Sequence, residues 1–182
     1  MASRPPEDPA FLPETAFEAL ARHGVRYVVV GAYAAQIRGI AGVVTADVDV
    51  TPALDADNLQ RLSEALHELG ATVRIESHRL GPVKLPPDGG LIARTPILNL
   101  HLPGIGDLDV IHQAAVATTE RGPLDFDWLS RTATEAASTP TGLPVLVMSE
   151  SDWVDSKSTP PVRERDRAHL AAYERWRVGS SS

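Results

Sequence analysis

The sequence predicts an α/β fold, a mixed sheet backed by helices with a short helical C-terminal extension. Three observations carry that prediction. The run Tyr27-Val28-Val29-Val30 is β-branched and ends at Gly31, as expected of a buried strand that turns sharply into a helix. Leu59, Leu62, Leu66 and Leu69 recur at the spacing of one helical face. Ile97 to Leu102 and Asp107 to Ile111 alternate apolar and polar residues on either side of Pro103-Gly104-Ile105-Gly106, which marks a hairpin turn.

Taken in order, Met1 to Pro13 is Pro-rich and polar and is expected to form a flexible tail; residues 14–177 form the folded domain and 178–182 a frayed end. In a first helix from Glu14 to His23, Phe17, Leu20 and Ala21 share one stripe, and Gly24 is placed to end it. The Tyr27 strand and a short Ala-rich helix follow, then a Gly-broken loop and a second strand from Val44 to Val50. Asp55 or Asp57 caps the leucine helix and Gly70 stops it. Ala71 to Ser77 reads as a strand, and RLGPVKLPPDGG as an irregular loop or short hairpin. Residues 113–141 carry no decisive pattern, with Trp128 and Leu129 as anchors. Leu143 to Met148 is apolar enough for a strand, and Ser149 with Asp152 is a capping-box-like start for a short helix carrying Lys157. A last helix from about Val162 to Arg177 puts Asp166, Leu170 and Tyr173 on one stripe, so residues 149–177 make the helical extension.

Composition narrows the function classes. At 182 residues and 43% hydrophobic content, the chain is sized for one globular domain. It has no apolar run long enough to cross a bilayer and no signal-peptide core at its start, so a soluble, cytoplasmic protein without membrane partners is expected. The absence of cysteine excludes disulfides and thiolate metal sites. A net charge of -7 disfavours broad nonspecific contact with nucleic acid. Any such contact falls to a local patch, and Arg163, Arg165, Arg167, Arg175 and Arg177 supply one. The histidines are scattered without metal spacing, and no Ser/His/Asp arrangement points to hydrolysis.

The chemistry concentrates between Tyr27 and Pro52. Side chains alternate faces along a strand, so Asp47 and Asp49 point one way while Val48 and Val50 point into the core. Two carboxylates on one face repel unless a cation lies between them. A hard divalent ion such as Mg2+, its shell completed by substrate phosphates, suits those oxygens. A helix starting at Gly31 turns free backbone N–H groups toward the same end, which suits a phosphate. By the same alternation Asp107 and Asp109 share a face, so a third carboxylate can approach from a later strand. Each piece alone has a plainer reading: Asp-x-Asp as a solvated strand end, Gly31 as a turn residue, Asp107 as a turn or outer carboxylate. Together they describe phosphoryl or nucleotidyl transfer.

The pattern resembles the nucleotidyltransferase superfamily with the polymerase-β-like fold. Its signature is an apolar strand, Gly with Gly or Ser, a helix, then h-Asp-h-Asp/Glu-h and a third acidic residue on a later strand. Gly31, Asp47, Asp49 and Asp109 stand at those places. Thr45 matches a branch that writes the second strand Arg-x-Thr-x-Asp-h-Asp-h, similar to toxin nucleotidyltransferases of the AbiEii or MenT type. The segment NLHLPGIGDLDVI, and Ser149 through Lys157 followed by Arg163-Glu164-Arg165-Asp166, resemble further blocks of that branch, in register over residues 26–175. Two positions depart. Ala32 replaces the second Gly or Ser, leaving only backbone donors, and Val43 replaces the Arg two residues before Thr45.

The resemblance implies roles. Asp47, Asp49 and Asp109 are catalytic and hold one or two Mg2+ ions; Gly31, Ala32, Thr45, Lys157, Arg163 and Asp166 contact an NTP. An NMP passes to an acceptor hydroxyl and pyrophosphate leaves. The implied acceptor is the 3′ end of a tRNA or another RNA, with the protein as a toxin and a cognate antitoxin as partner. A small hydroxylated molecule such as an antibiotic fits the acidic net charge at least as well. A degenerate member that binds nucleotide or a partner without turnover is the reading to which Ala32 and Val43 point. Lys157 is equally a solvated helix-end cation, and Arg163 with Asp166 an i, i+3 ion pair, although their place on the apolar stripe favours a buried role for both, holding Lys157 or a phosphate.

Overall fold

Strand alternation and helix caps set the elements of the computed structural model, which describes residues 11–74, 83–84, 88–112, 117–138 and 142–180. The first half runs α1 (Pro13–Arg22), β1 (Tyr27–Val30), α2 (Gly31–Ile37), β2 (Asp47–Pro52), α3 (Ala56–Glu68), β3 (Thr72–Val73), β4 (Val83–Lys84) and α4 (Gly89–Arg94). The second runs β5 (Ile97–Leu102), β6 (Gly106–Ile111), β7 (Thr118–Thr119), β8 (Gly122–Pro123), α5 (Phe126–Thr132), β9 (Thr134–Ala137), β10 (Pro144–Val147), α6 (Glu150–Ser158) and α7 (Glu164–Ser180). Eight strands form one sheet in the order β4-β3-β5-β6-β2-β1-β10-β9. It is mixed: β1 with β10 and β2 with β6 are parallel, the other pairs antiparallel. A β7–β8 hairpin stands apart.

One face of the sheet is apolar. Val48, Val50, Leu98, Leu100, Leu102, Leu108 and Val110 are buried and join Phe17 and Leu20 of α1, Leu59, Leu62 and Leu66 of α3 and Ile92 of α4 in a single core. Asp55 is the residue that caps α3, its side chain accepting from the Asn58 N–H, and Ser149 caps α6 by accepting from the Asp152 N–H. Among the described residues no helix is long and apolar enough to cross a membrane.

Several boundaries differ from the sequence expectation, each for a local reason. Phe11 and Leu12, expected in the tail, pack onto the fold: the Phe11 ring meets Tyr33 edge-on at 5.6 Å, and the Leu12 N–H donates to the Ile105 carbonyl at 2.7 Å. The second strand begins at Asp47, not Val44, because Thr45 turns its hydroxyl back onto the Asp47 carboxylate. Gly89 and Gly90 open a helix, not a loop: Asp88 caps it at 2.7 Å from the Gly90 N–H, and Ile92 is buried. The undecided 113–141 stretch contains α5, capped by Asp125. The final helix continues past Arg177 to Ser180. Residues 1–10 of the tail, 75–77 of the third strand, most of RLGPVKLPPDGG, and residues 113–116, 139–141 and 181–182 lie outside the described residues.

Candidate active site

β2 and β6 run side by side in parallel, with Asp47 opposite Asp107 and Asp49 opposite Asp109. Their valine and leucine neighbours are buried, so all four carboxylates share the other face. Paired strands lie about 4.8 Å apart, which puts Asp49 and Asp109 next to each other. On the opposite flank Val30 pairs with Asp49, and the chain turns into α2 at Gly31 with φ 68°. A Cβ at Gly31 would stand 1.9 Å from Asp49 Oδ2. Glycine is required twice here, for the left-handed backbone and for the space that the carboxylate fills.

Burial, then the neighbouring charges of Asp47 and Asp109, push the Asp49 carboxyl up to about 6, against the pull of Lys157 and Arg165. Burial also raises Asp109, and Asp47 and Asp107 add to that; Arg74 and Asn99 oppose it without cancelling it.

The cations arrive from the extension. Trp153 of α6 is fully buried and donates its indole N–H to the Gly31 carbonyl at 2.8 Å, which docks the helix against the turn. One turn further, the buried Lys157 places its Nζ 3.3 Å from Asp166 Oδ1 and 6.0 Å from the Trp153 ring. Arg163 Nε donates to Asp166 Oδ2 at 2.7 Å, but of the two only Asp166 takes the expected buried role: Arg163 precedes α7 and its side chain is 57% exposed. Burial lowers the Lys157 ammonium, opposed by Asp166 and Asp49. Burial likewise works against an ionised Asp166, yet bonds from Arg163 and Lys157 hold it below the usual carboxylate range. Gly31, Asp49, Lys157, Arg163 and Arg165 line one cleft of about 220 Å³, and aliphatic residues, Ile97, Ile111, Leu124 and Leu129, line it with them.

No family model matches the chain, and no curated protein matches it in sequence. Solved structures do. The chain is similar to the solution structure of the antibiotic-resistance factor ANT(2'')-Ia, with a TM-score of 0.52 and 16% identity, covering 93% of this chain and 82% of that one. It is also similar to the crystal structure of ANT(2'')-Ia in complex with adenylyl-2''-tobramycin, with a TM-score of 0.50, 18% identity and coverage of 93% and 87%. The chain has the polymerase-β-like fold.

Within the polymerase-β-like fold, Gly31, Asp49, Lys157 and Arg163 line one cleft, with Asp47 and Asp109 beside Asp49; Asp166 does not line it and is held by Lys157 and Arg163. Thr45 lies against Asp47 and supports that carboxylate. Ala32 is buried in the first turn of the seven-residue α2, and Val43 is buried and packs in the core. Asp107 sits in the outer row, bonded to Arg74 and within 3.1 Å of the His101 ring. Sequence reasoning missed Arg74, Asn99 and Trp153. A large aromatic four residues before Lys157 was the one local signal, since that spacing puts both on the same helical face.

Among the described residues, no three acidic or histidine side chains close around one point as a finished metal site. Both Asp109 oxygens already have donors: Arg74 Nη2 at 2.9 Å on Oδ1 and Asn99 Nδ2 at 3.1 Å on Oδ2. The donor set still fits a hard divalent cation. Asp47, Asp49 and Asp109 are all oxygen donors on one face, and the crowding that raises Asp49 is the imbalance a cation relieves.

Proposed function

We propose that the protein is a nucleotidyltransferase that moves an NMP from an NTP to an acceptor hydroxyl, releasing pyrophosphate. The observation that supports this reading most is the register of Asp49 with Asp109 beside Gly31, across one cleft from Lys157. Asp47, Asp49 and Asp109 would hold one or two Mg2+ ions, which when bound supply charge stabilisation at phosphate and acidify an attacking hydroxyl. The chain's own groups account for the rest. Lys157, Arg163 and Arg165 face Asp49 and take the charge of the β- and γ-phosphates. The aliphatic wall of Ile97, Ile111, Leu124 and Leu129 packs against the nucleoside and excludes water. Asp109, its carboxyl raised by burial, accepts the acceptor's proton. A bond then forms from the acceptor oxygen to the α-phosphorus as the bond to the bridging oxygen breaks. Lys157 and Arg163 neutralise the departing pyrophosphate.

Two acceptors have support. The likeness to ANT(2'')-Ia, solved with adenylyl-2''-tobramycin, favours a small hydroxylated molecule. Exposed Arg163, Arg165 and Arg167 at the head of α7 favour an RNA 3′ end such as that of tRNA, with the protein as the toxin of a toxin–antitoxin pair. Incubation with labelled NTPs and Mg2+, with either total RNA or hydroxylated antibiotics, decides between them by which acceptor gains label. Growth arrest on expression, relieved by Asp47→Ala, supports the toxin reading. Nucleotide binding with no label on any acceptor overturns the enzyme reading.

A further inference from the structure

A guanidinium stands where a cation is expected. Arg74 follows β3, and its backbone N–H donates to the Asn99 carbonyl at 2.8 Å, which holds it beside β5 at the carboxylate face. Its side chain forks across two acids of β6: Nη1 donates to Asp107 Oδ2 at 2.5 Å and Nη2 to Asp109 Oδ1 at 2.9 Å. The other oxygen of Asp109 is taken by Asn99, and that of Asp107 lies 3.1 Å from the His101 ring. Asp109 therefore has no oxygen without a donor. The side chain is 35% exposed, so it can swing away without opening the core.

We propose that Arg74 is a positioning residue that holds Asp109 until a divalent cation displaces it, so that guanidinium and metal compete for one carboxylate. The inference rests on the reading of Asp47, Asp49 and Asp109 as the cation site. Without metal, the fork offsets the charge of β6 and keeps Asp109 facing the site. With metal, Asp109 turns to the ion and Arg74 retains Asp107. In the strand order Arg74 lies on the far side of Asp109 from Gly31 and Asp49, so it reaches that carboxylate without crossing the cleft that Gly31 and Asp49 line.

The test is Mn2+ binding to the nucleotide-free, full-length protein, read as loss of the free Mn2+ signal in electron paramagnetic resonance. Arg74→Gln removes the competing charge and should bind Mn2+ roughly ten-fold more tightly than the wild type, the range expected for losing one charge-assisted fork. Arg74→Lys keeps a charge but loses the fork, and should fall between the two. Should the Gln variant not fold, the Lys variant carries the test by itself. Equal or weaker Mn2+ binding by these variants overturns the inference. Asp109→Asn separates the two layers of the reading. If it weakens Mn2+ binding while the Arg74 variants change nothing, only the competition fails. If neither it nor Asp49→Asn changes Mn2+ binding, the carboxylates are not the cation site and the nucleotidyl transfer reading falls as well.

Discussion

Asp49→Asn should yield a protein that is inactive and yet more stable, by an amount that depends on pH. Burial and the charges of Asp47 and Asp109 raise the Asp49 carboxyl from an ordinary 3.8 to about 6. A raised acid means that the fold holds the neutral form better than the carboxylate. Below pH 3.8 the folded and unfolded chains both carry the neutral acid, and the penalty vanishes. It grows through the window between 3.8 and 6 and is complete above 6. At about 1.36 kcal/mol for each pH unit, ionised Asp49 costs the fold about 3 kcal/mol. Asparagine keeps the shape without the charge. For a chain of this size 1 kcal/mol moves the midpoint by about 2–4 °C, so the variant should melt about 6–12 °C higher at pH 8 in EDTA. At pH 4 the gain should shrink to less than about 1 kcal/mol. Thermal melts at the two pH values measure it, and labelling assays should find transfer reduced by at least about a hundred-fold. A variant that melts at or below the wild type at pH 8 would refute the argument, because Asp49 would then carry no crowding penalty.

Mg2+ added at pH 8 should raise the melting temperature of the wild type and leave that of Asp49→Asn nearly unchanged, since the ion relieves a charge only the wild type carries. Gly31→Ala forces a side chain into positive φ and to within 1.9 Å of Asp49 Oδ2; melts should record a loss of about 1–3 kcal/mol, with transfer abolished. Trp153→Phe keeps the ring but leaves the Gly31 carbonyl without its donor. A stability loss of about 1–2 kcal/mol is expected, together with a raised KM for NTP, because α6 also carries Lys157.

The part of the site that depends on period alone was legible. Alternation places Asp47 with Asp49, and Asp107 with Asp109, on one face of their own strands without knowledge of the partner, and only the parallel register of β2 with β6 puts the two pairs on the same face. The apolar stripe of α7 marked Asp166 as buried, and the structure gives it Lys157 and Arg163. What stayed hidden depends on pairing across distance. Arg74 reaches Asp109 only because β3 lies against β5, and Trp153 finds Gly31 only when α6 docks; neither contact leaves a periodic trace. α4 is hidden because two glycines argue against a helix, whereas the Asp88 cap and the buried Ile92 outweigh their propensity. The prolines before Phe11 place it with the tail, and only the fold supplies the ring of Tyr33 on which it rests.

The Lys157–Asp166 pair should be unequal when broken from either side. The two side chains are 8% and 5% exposed, so each charge depends on the other for compensation. Lys157→Met leaves Asp166 with Arg163, whose Nε and Nη2 remain at 2.7 and 3.3 Å. The carboxylate stays paired, the methionine stem refills the space against Trp153, and the stability cost should stay below about 1.5 kcal/mol. Asp166→Asn instead leaves a buried ammonium beside Arg163, with Asp49 as its remaining acidic neighbour. Removing one partner of a buried pair costs about 3 kcal/mol or more. The Lys157 ammonium, already lowered by burial, should fall further, so that NTP affinity declines at a lower pH than in the wild type. Paired melts and nucleotide titrations across pH distinguish the two sides. If Lys157→Met proved the more destabilising, Asp166 would be serving Arg163 and the helix start, and the charge that faces Asp49 would not depend on it.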